Sequence, residues 1–320
     1  MNLKKPFLLL FIIPERTNLF IFQLEAKIVK KIKLSEIPSA SGIEVVDNVI
    51  YVIGDDSPYL YILNKTYKVF KKILLSSSYR LIKGKIPKTS KPDLEAVTSF
   101  DIGGEKVILI LGSGSQRETR DKAFLVEPSE NYLVHNFSLT PLYDLLRKNK
   151  EIVGERILNI EAAAVINQDI YLFQRGNISG NNAIIKFPVY EFLDFLKHKR
   201  SPAPPFEVYN FDFPKLHGLL PGFSGAANIP KTETLLFTTS LEDTPDEWYD
   251  GEIFESMIGI IEKDRKQFSY SIIYEGNEPF KGKIESLSLI NLETAKKFNV
   301  LAVSDNDGES SELLWIEVKM

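Results

Sequence analysis

Short apolar runs, each preceded by a small-residue segment and followed by a polar cluster, recur five times along the chain. In the first unit, residues 41–46 lead through a turn at 47–48 into the apolar run 49–54, and corresponding units begin near Glu95, Glu161, Ser224 and Glu285. Apolar runs of this length that are bounded by turn residues indicate β-strands. The pattern predicts repeated β units rather than two unrelated domains.

The spacing of these units predicts a ring. From Ser41 onwards the repeated residues are 54, 66, 63 and 61 positions apart, which is typical of four-stranded propeller blades with insertions. Further strands are predicted at 59–63, 69–75, 122–126, 132–139, 183–187, 206–213, 256–262, 268–274 and 312–318. The last unit lacks an outer strand, and we expect residues 27–34 to supply it. Pairing of this strand with the last predicted strand would protect an edge that is otherwise exposed.

The predicted fold is therefore an all-β, five-bladed β-propeller with four-stranded blades, closed by an N-terminal strand that completes the last blade. Residues 27–320 form one domain, and residues 1–26 form an N-terminal extension. Two segments depart from the β pattern. Residues 189–200 have helical apolar spacing at Phe192, Phe195 and Leu196, and residues 141–149 predict another helical turn.

Composition narrows the chemistry of any site. The chain has no cysteine and three histidines, which excludes disulfides and thiolate zinc sites and leaves oxygen ligands. A net charge of −4 argues against a nucleic-acid polymer as partner. The apolar runs at 7–13 and 19–24 are shorter than the roughly 20 residues that a membrane-spanning helix needs. We expect a monomer; the cytoplasm is favoured over export, which stays open.

The repeated serine and glutamate residues predict a metal site on the axis. Ser41, Glu95, Glu161, Ser224 and Glu285, one from each blade, would point at the centre of the ring. Three carboxylates that converge there need a bound cation or raised pKa values, and this set of oxygens suits Ca²⁺. The alternative is that these side chains hydrogen-bond to neighbouring blades and hold no metal.

One face of the ring predicts a funnel, because antiparallel neighbours bring the starts of the inner strands and the ends of the second strands together. The candidate catalytic residues there are Asp55, Asp56, Arg175, Glu242 and Asp305. The candidate ligand-binding residues are Arg117, Arg120, Asn177 and Trp248. Arginines beside carboxylates and a metal suit a phosphate or carboxylate ligand. The alternative is that these are solvated turn residues and local ion pairs.

The axial order Ser, Glu, Glu, Ser, Glu resembles that of the calcium-activated nucleotidase (apyrase) family. Segments 50–56, 216–218 with 223–225, 239–243 and 283–285 are similar to that family's motifs, although Leu219-Leu220-Pro221, Thr239 and Ser286 depart from them. The resemblance implies a five-bladed propeller with one central calcium ion and nucleotide hydrolysis.

A second resemblance rests on residues 41–44, 54–59, 91–96 and 112–115. These segments are similar to uncharacterised bacterial β-propeller proteins related to the phytase-like esterases. That resemblance implies the fold and brings no established activity.

Two functional hypotheses follow. The first is a calcium-dependent hydrolase of phosphorylated small molecules, apyrase-like or phytase/esterase-like. The second is a non-catalytic propeller in which calcium is structural and the funnel binds a sugar, a peptide or a protein.

Overall fold

The computed structural model describes residues 24–178, 181–198, 203–244, 251–262, 267–294, 296–305 and 310–320. Within them the chain is built almost entirely of β-strands. The first strand, β1 (Glu25–Leu34), covers the predicted 27–34. The other predicted strands are also present, with ends shifted by a few residues. The prediction of an all-β chain is confirmed.

The next twelve strands form three separate four-stranded antiparallel sheets, each in chain order. The first sheet consists of β2 (Ala40–Val46), β3 (Val49–Gly54), β4 (Tyr59–Leu63) and β5 (Val69–Leu74). The second consists of β6 (Leu94–Ile102), β7 (Glu105–Gly112), β8 (Lys122–Glu127) and β9 (Leu133–Ser138). The third consists of β10 (Ile160–Ile166), β11 (Asp169–Gln174), β12 (Ala183–Pro188) and β13 (Glu207–Asn210).

The remaining strands and β1 form a nine-stranded sheet. Its strands are β14 (Gly222–Asn228), β15 (Leu235–Asp243), β16 (Glu252–Ile261), β17 (Phe268–Glu275), β18 (Glu278–Pro279), β19 (Lys283–Thr294), β20 (Lys297–Asp305) and β21 (Ser311–Lys319). They lie in the order β14-β15-β16-β17-β1-β21-β20-β19, and β18 pairs with β17. Strand β1 pairs antiparallel with β21, as predicted. It also pairs in parallel with β17, from Ala26↔Ile273 to Ile28↔Glu275, which was not predicted and which joins two groups of strands into one sheet.

The first strands of the repeated units contact one another in a cycle. Among the described residues, β2 contacts β6, β6 contacts β10, β10 contacts β14, β14 contacts β19, and β19 returns to β2. We call these five strands the inner strands. Because this cycle of contacts closes, the five inner strands surround a central axis.

Apolar clusters fill the spaces between neighbouring sheets. Ile53 and Ile110 are fully buried between the first and second sheets. Between the third and fourth units, Phe223 lies edge-on to Phe173 and Phe213 at ring-centroid distances of 5.1 and 5.2 Å. Burial of each such side chain contributes about 1.5–3 kcal/mol, which holds the inner strands in fixed positions around the axis.

Small residues let the inner strands approach their neighbours. A Cβ atom at Gly42 would lie 2.6 Å from Ile53 Cγ1 and 2.9 Å from Val97 Cγ1, closer than carbon atoms pack. Glycine at this position is therefore required by packing rather than by a turn.

A partly buried carboxyl group connects three inner strands. Glu44 on β2 accepts a hydrogen bond from Ser99 Oγ on β6 at 2.5 Å and one from Ser288 Oγ on β19 at 3.3 Å. Ser288 Oγ also accepts the Val45 N–H at 2.9 Å. Burial raises the pKa of Glu44 to about 7, and the hydrogen bonds from the two serines oppose this effect.

Three short helices decorate the sheets: α1 (Thr140–Leu146), α2 (Lys150–Val153) and α3 (Val189–His198). Helix α3 confirms the helix predicted at 189–200 as far as His198, where this described stretch of the chain ends. It buries Phe192 and Leu196. In the described part of the chain, no helix is long and apolar enough to cross a membrane.

Candidate functional site

Each inner strand has a β-bulge at the residue that the repeat placed on the axis. In β2 the register passes from Ala40↔Gly54 to Gly42↔Ile53, so Ser41 has no partner on β3. The same one-residue skip occurs at Glu95, Glu161, Ser224 and Glu285. A bulge bends the strand and re-aims the unpaired residue's side chain. The sequence repeat thus corresponds to a repeated distortion of the backbone.

Three of the bulged residues bring carboxylates together. One oxygen from each of Glu95, Glu161 and Glu285 lies within 4.8 Å of the other two, and we call this group the axial trio. Glu161 and Glu285 are each 7% exposed. Like charges at this distance and burial must be compensated by a cation or by protons.

The two bulged serines are placed differently from each other. Ser41 lines the cavity described below, and its hydroxyl donates to the Leu94 carbonyl at 2.5 Å. Ser224 is fully buried, and its hydroxyl donates to Thr238 Oγ1 at 3.1 Å. The Ser41 hydroxyl oxygen therefore lies beside the cavity, whereas the Ser224 hydroxyl is hydrogen-bonded within its own sheet.

Cationic and amide groups contact the axial trio from outside. Lys283 Nζ lies 3.1 Å from Glu285 Oε1, and Arg175 lies 3.4 Å from Glu161 Oε2. Asn159 Nδ2 donates to Glu161 Oε1 at 2.6 Å. Each of these groups reaches a single member of the trio.

A second carboxylate group adjoins the axial trio and shares Glu95 with it. One oxygen from each of Asp55, Asp93 and Glu95 lies within 4.8 Å of the other two, and we call this group the wall trio. Lys91 Nζ forms an ion pair with Asp55 and lies 2.8 Å from Asp93 Oδ1. The buried Arg120 holds Asp93 Oδ2 at 2.6 Å.

The wall trio and two members of the axial trio, Glu95 and Glu285, line a polar cavity of about 700 Å³, which includes the solvent at its mouth. Its charged lining comes from the loops and strand ends of several units: Asp55, Lys88, Lys91, Asp93, Glu95, Arg120, Lys283, Glu285 and Asp305. Glu161, Arg175 and Glu242 are buried and are not part of this lining, and Arg175 pairs with both glutamates. The cavity is thus a charged site rather than an apolar ligand pocket.

Negative charge exceeds positive charge around the axis. These twelve groups comprise seven carboxyl groups and five cationic groups. Burial raises the pKa of Glu95 well above its usual range, and the charges of Asp93 and Glu161 raise it further. Burial also raises the pKa of Glu285, although Lys283 opposes this effect. With all seven carboxyl groups ionised the excess would be two negative charges, which one divalent cation neutralises; without a cation, protons on Glu95 and Glu285 remove the same excess.

The wall trio has a different electrostatic balance. Burial alone would raise the pKa of Asp93, but Lys91 and Arg120 hold it below its usual value. Burial raises the pKa of Asp55, and the ammonium of Lys91 opposes that rise. Asp55 Oδ1 is buried and makes no hydrogen bond. Asp93 is therefore a fixed anion, whereas Asp55 has an unused oxygen.

The structure separates the predicted catalytic residues into two groups. Asp55 and Asp305 line the cavity, whereas Arg175 and Glu242 form a buried ion pair that is not part of its lining. Asp56 is also not part of the lining, and Lys85 Nζ lies 2.9 Å from its Oδ2.

The predicted ligand-binding residues also divide. Arg120 lines the cavity. Arg117 is half exposed and pairs with Asp144 of α1 at 3.0 Å, because the loop after β7 folds back towards that helix. Asn177 lies beside Gly222, and Trp248 lies outside the described residues.

Four charged residues at the site were not predicted from the sequence: Lys88, Lys91, Asp93 and Lys283. The last three lie two or four positions before a bulged glutamate, since Lys91 and Asp93 precede Glu95 and Lys283 precedes Glu285. Alternate residues of an extended segment share a face. This spacing was the available signal for their position.

The donor set fits a hard divalent cation. The axial trio supplies carboxylate oxygens from three inner strands, and the Ser41 hydroxyl lies at the same cavity. Ca²⁺ takes six to eight oxygen ligands at 2.3–2.6 Å, so oxygens that ligate one ion can be up to about 5 Å apart. The 4.8 Å limit among the trio oxygens is compatible with a single shared ion.

Residues 36–318 match a protein family that is described as a family of unknown function (DUF6929). No curated protein matches the chain. The family match supplies no link to calcium-activated nucleotidases or phytase-like esterases, so those resemblances stay predictions.

Several solved structures share a distant likeness with the chain. Glutaminyl cyclase from Myxococcus xanthus is 8% identical, with 92% of this chain and 97% of that chain covered and a TM-score of 0.48. An exo-1,5-α-L-arabinanase from a bovine ruminal metagenomic library is 10% identical, with coverage of 87% and 92% and a TM-score of 0.47. A PQQ-bound aldose sugar dehydrogenase from Streptomyces coelicolor is 10% identical, with coverage of 93% and 99% and a TM-score of 0.41. At these TM-scores none of the likenesses assigns an activity to the chain.

Proposed function

This chain belongs to the DUF6929 family of unknown function, and we propose that it is a five-bladed β-propeller whose axial site binds one Ca²⁺ ion. The observation that carries the proposal is the set of five equivalent bulges, three of which bring carboxylate oxygens of Glu95, Glu161 and Glu285 within 4.8 Å of one another.

The five-bladed interpretation rests on the cycle of inner strands and on the order of the nine-stranded sheet. Strands β14 to β17 form one antiparallel run, and β19, β20, β21 and β1 form another. The short parallel contact between β17 and β1 joins the two runs. Each run then corresponds to one four-stranded blade, in line with the three separate sheets.

The choice of Ca²⁺ rests on ligand type and charge. The axial trio offers carboxylate oxygens, which hard cations prefer over the softer transition metals. One divalent ion would neutralise the two excess negative charges around the cavity. Glu95, Glu161 and Glu285 would hold the ion, with the Ser41 hydroxyl as a further oxygen ligand.

Calcium titration of the purified chain tests this proposal. We expect isothermal titration calorimetry to give one Ca²⁺ per chain, with a calcium-dependent rise in Tm, because a ligand that binds the native state stabilises it. Glu95→Gln should abolish both effects. Glu44→Gln is the matched control, since Glu44 is a partly buried glutamate of an inner strand outside the trio, and it should retain both. Absence of calcium binding by the wild-type chain would overturn the proposal.

For the reaction, we propose hydrolysis of a small phosphate ester or anhydride bound in the cavity. When bound, Ca²⁺ would supply Lewis-acid stabilisation of phosphoryl charge. The cationic side chains of Lys88 and Lys283 line the same cavity and suit an anionic group. Asp55, with its raised pKa and unpartnered oxygen, is the candidate general base, because a base works best with a pKa near the operating pH.

A non-catalytic propeller with a structural calcium ion is the second candidate. It is favoured by the internal pairing of the cavity's cations, since Lys91 and Arg120 are both bound to Asp93 and so offer less charge to a ligand. Phosphate release from a panel of nucleotides and sugar phosphates distinguishes the two candidates. Turnover that requires Ca²⁺ and falls at least tenfold in Asp55→Asn supports the hydrolase, whereas absence of turnover with calcium bound supports the structural role.

A further inference from the structure

The site contains two adjoining carboxylate groups, whereas the proposed function places one Ca²⁺ ion there. The axial trio and the wall trio share Glu95, and each brings three carboxylate oxygens within 4.8 Å. What distinguishes them is the position of the nearest ammonium group.

Lys91 bridges two members of the wall trio. Its Nζ binds Asp55 and also lies 2.8 Å from Asp93 Oδ1, so the ammonium sits between these two carboxylates. By contrast, Lys283 reaches Glu285 alone within the axial trio. The wall trio therefore already has an internal cation.

We propose that Lys91 takes the place of a second metal ion and thereby limits the site to one Ca²⁺. This inference rests on the proposed calcium site. The ammonium supplies one positive charge at nearly the distance from oxygen that a metal ion would adopt, and it cannot dissociate from the chain. Removing it would expose the wall trio to a second cation.

The unsatisfied oxygen of Asp55 indicates that the wall trio has ligand capacity left. Asp55 Oδ1 is buried without a hydrogen-bond partner, and Asp55 lines the cavity. A lysine ammonium reaches one oxygen of this carboxylate, whereas a Ca²⁺ ion can bind both oxygens of a carboxylate at once. Asp55, Asp93 and Glu95 would then form the second site.

Charge also predicts the relative affinity of the two ions. With Lys91 replaced by a neutral residue, the groups around the cavity would carry an excess of three negative charges, of which the first Ca²⁺ neutralises two. One negative charge then remains to attract the second ion. We therefore expect the second ion to bind at least tenfold more weakly than the first.

Lys91→Met tests the inference, with Lys91→Arg as the charge-preserving control. Calorimetry should give one Ca²⁺ per chain for wild type and Lys91→Arg, and two for Lys91→Met. The double variant Lys91→Met/Asp55→Asn should return to one. A folded Lys91→Met protein that binds one ion or none overturns the inference.

Asp55→Asn in the wild-type background gives a second test that does not depend on the folding of Lys91→Met. Because Asp55 lies outside the axial trio, this variant should still bind one Ca²⁺, with a Kd raised by no more than about tenfold through the loss of one negative charge beside the site. Loss of the ion in Asp55→Asn overturns the inference, since Asp55 would then belong to the first site. Absence of calcium binding by the wild-type chain refutes instead the proposed function.

Discussion

Replacing Glu44 with glutamine should make the protein more stable above neutral pH. The carboxyl group of Glu44 is held by the hydroxyls of Ser99 and Ser288, and burial raises its pKa from 4.5 to about 7. The positive charge of Lys106 weakly opposes that rise in pKa. The Nζ of Lys106 itself lies 2.8 Å from Asp101 Oδ2. A glutamine of the same shape keeps both serine contacts and never ionises.

The sign and size follow from proton linkage. Between pH 4.5 and 7 the unfolded chain has lost the proton that native Glu44 retains, so native stability falls as pH rises, by about 1.4 kcal/mol per pH unit. Below pH 4.5 and above pH 7, Glu44 no longer makes the free energy of unfolding depend on pH. The full interval corresponds to about 3 kcal/mol, and because part of Glu44 is exposed this is an upper limit.

Urea unfolding at intervals from pH 4.5 to pH 9 measures the effect. The free energy of unfolding of Glu44→Gln, relative to wild type, should rise across pH 4.5–7 and stay constant above it. Glu105→Gln, at an exposed position near the start of β7, is the control and should follow the wild-type curve. Parallel curves for Glu44→Gln and wild type would refute the reasoning.

Three further substitutions test the packing and pairing that hold the site, each by urea unfolding at pH 7.5. Tyr143→Phe should lose about 1–2 kcal/mol, because the buried hydroxyl donates to the Gly112 carbonyl at 2.9 Å; an unchanged stability would contradict this bond. Gly42→Ala should lose about 1–3 kcal/mol through overpacking against Ile53, and a stabilised variant would refute the close approach. Arg175→Met should lose about 3–5 kcal/mol, because it leaves two buried glutamates without their cationic partner; a neutral effect would show that this ion pair is dispensable.

The strands and the positions of the repeated bulges were predictable because they follow from local patterns. Alternating and continuous apolar runs indicate the strands. The five-fold recurrence indicates five equivalent residues, which are Ser41, Glu95, Glu161, Ser224 and Glu285. The bulges at these residues have no signature of their own in one sequence, since a bulge is a property of two paired strands.

Features that depend on distant partners were not predictable. The parallel pairing of β1 with β17 joins segments far apart in the chain, and its register is fixed by how neighbouring sheets meet. Arg117 was predicted to bind a ligand in the funnel, yet it forms an ion pair with Asp144 of α1. Lys91 was visible only as part of a motif, because its role comes from the two aspartates that the fold places on either side of it.

The pairing of β1 with β21 has a consequence for biosynthesis. Ribosomes make the chain from its amino end, so Glu25–Leu34 is made before its partner Ser311–Lys319. In the interval β1 is a strand without this neighbour, and such an edge invites association with other chains. Its four lysines, Lys27, Lys30, Lys31 and Lys33, are the kind of residue that discourages this association. The lysine-rich composition of β1 thus suits a strand that must wait for β21.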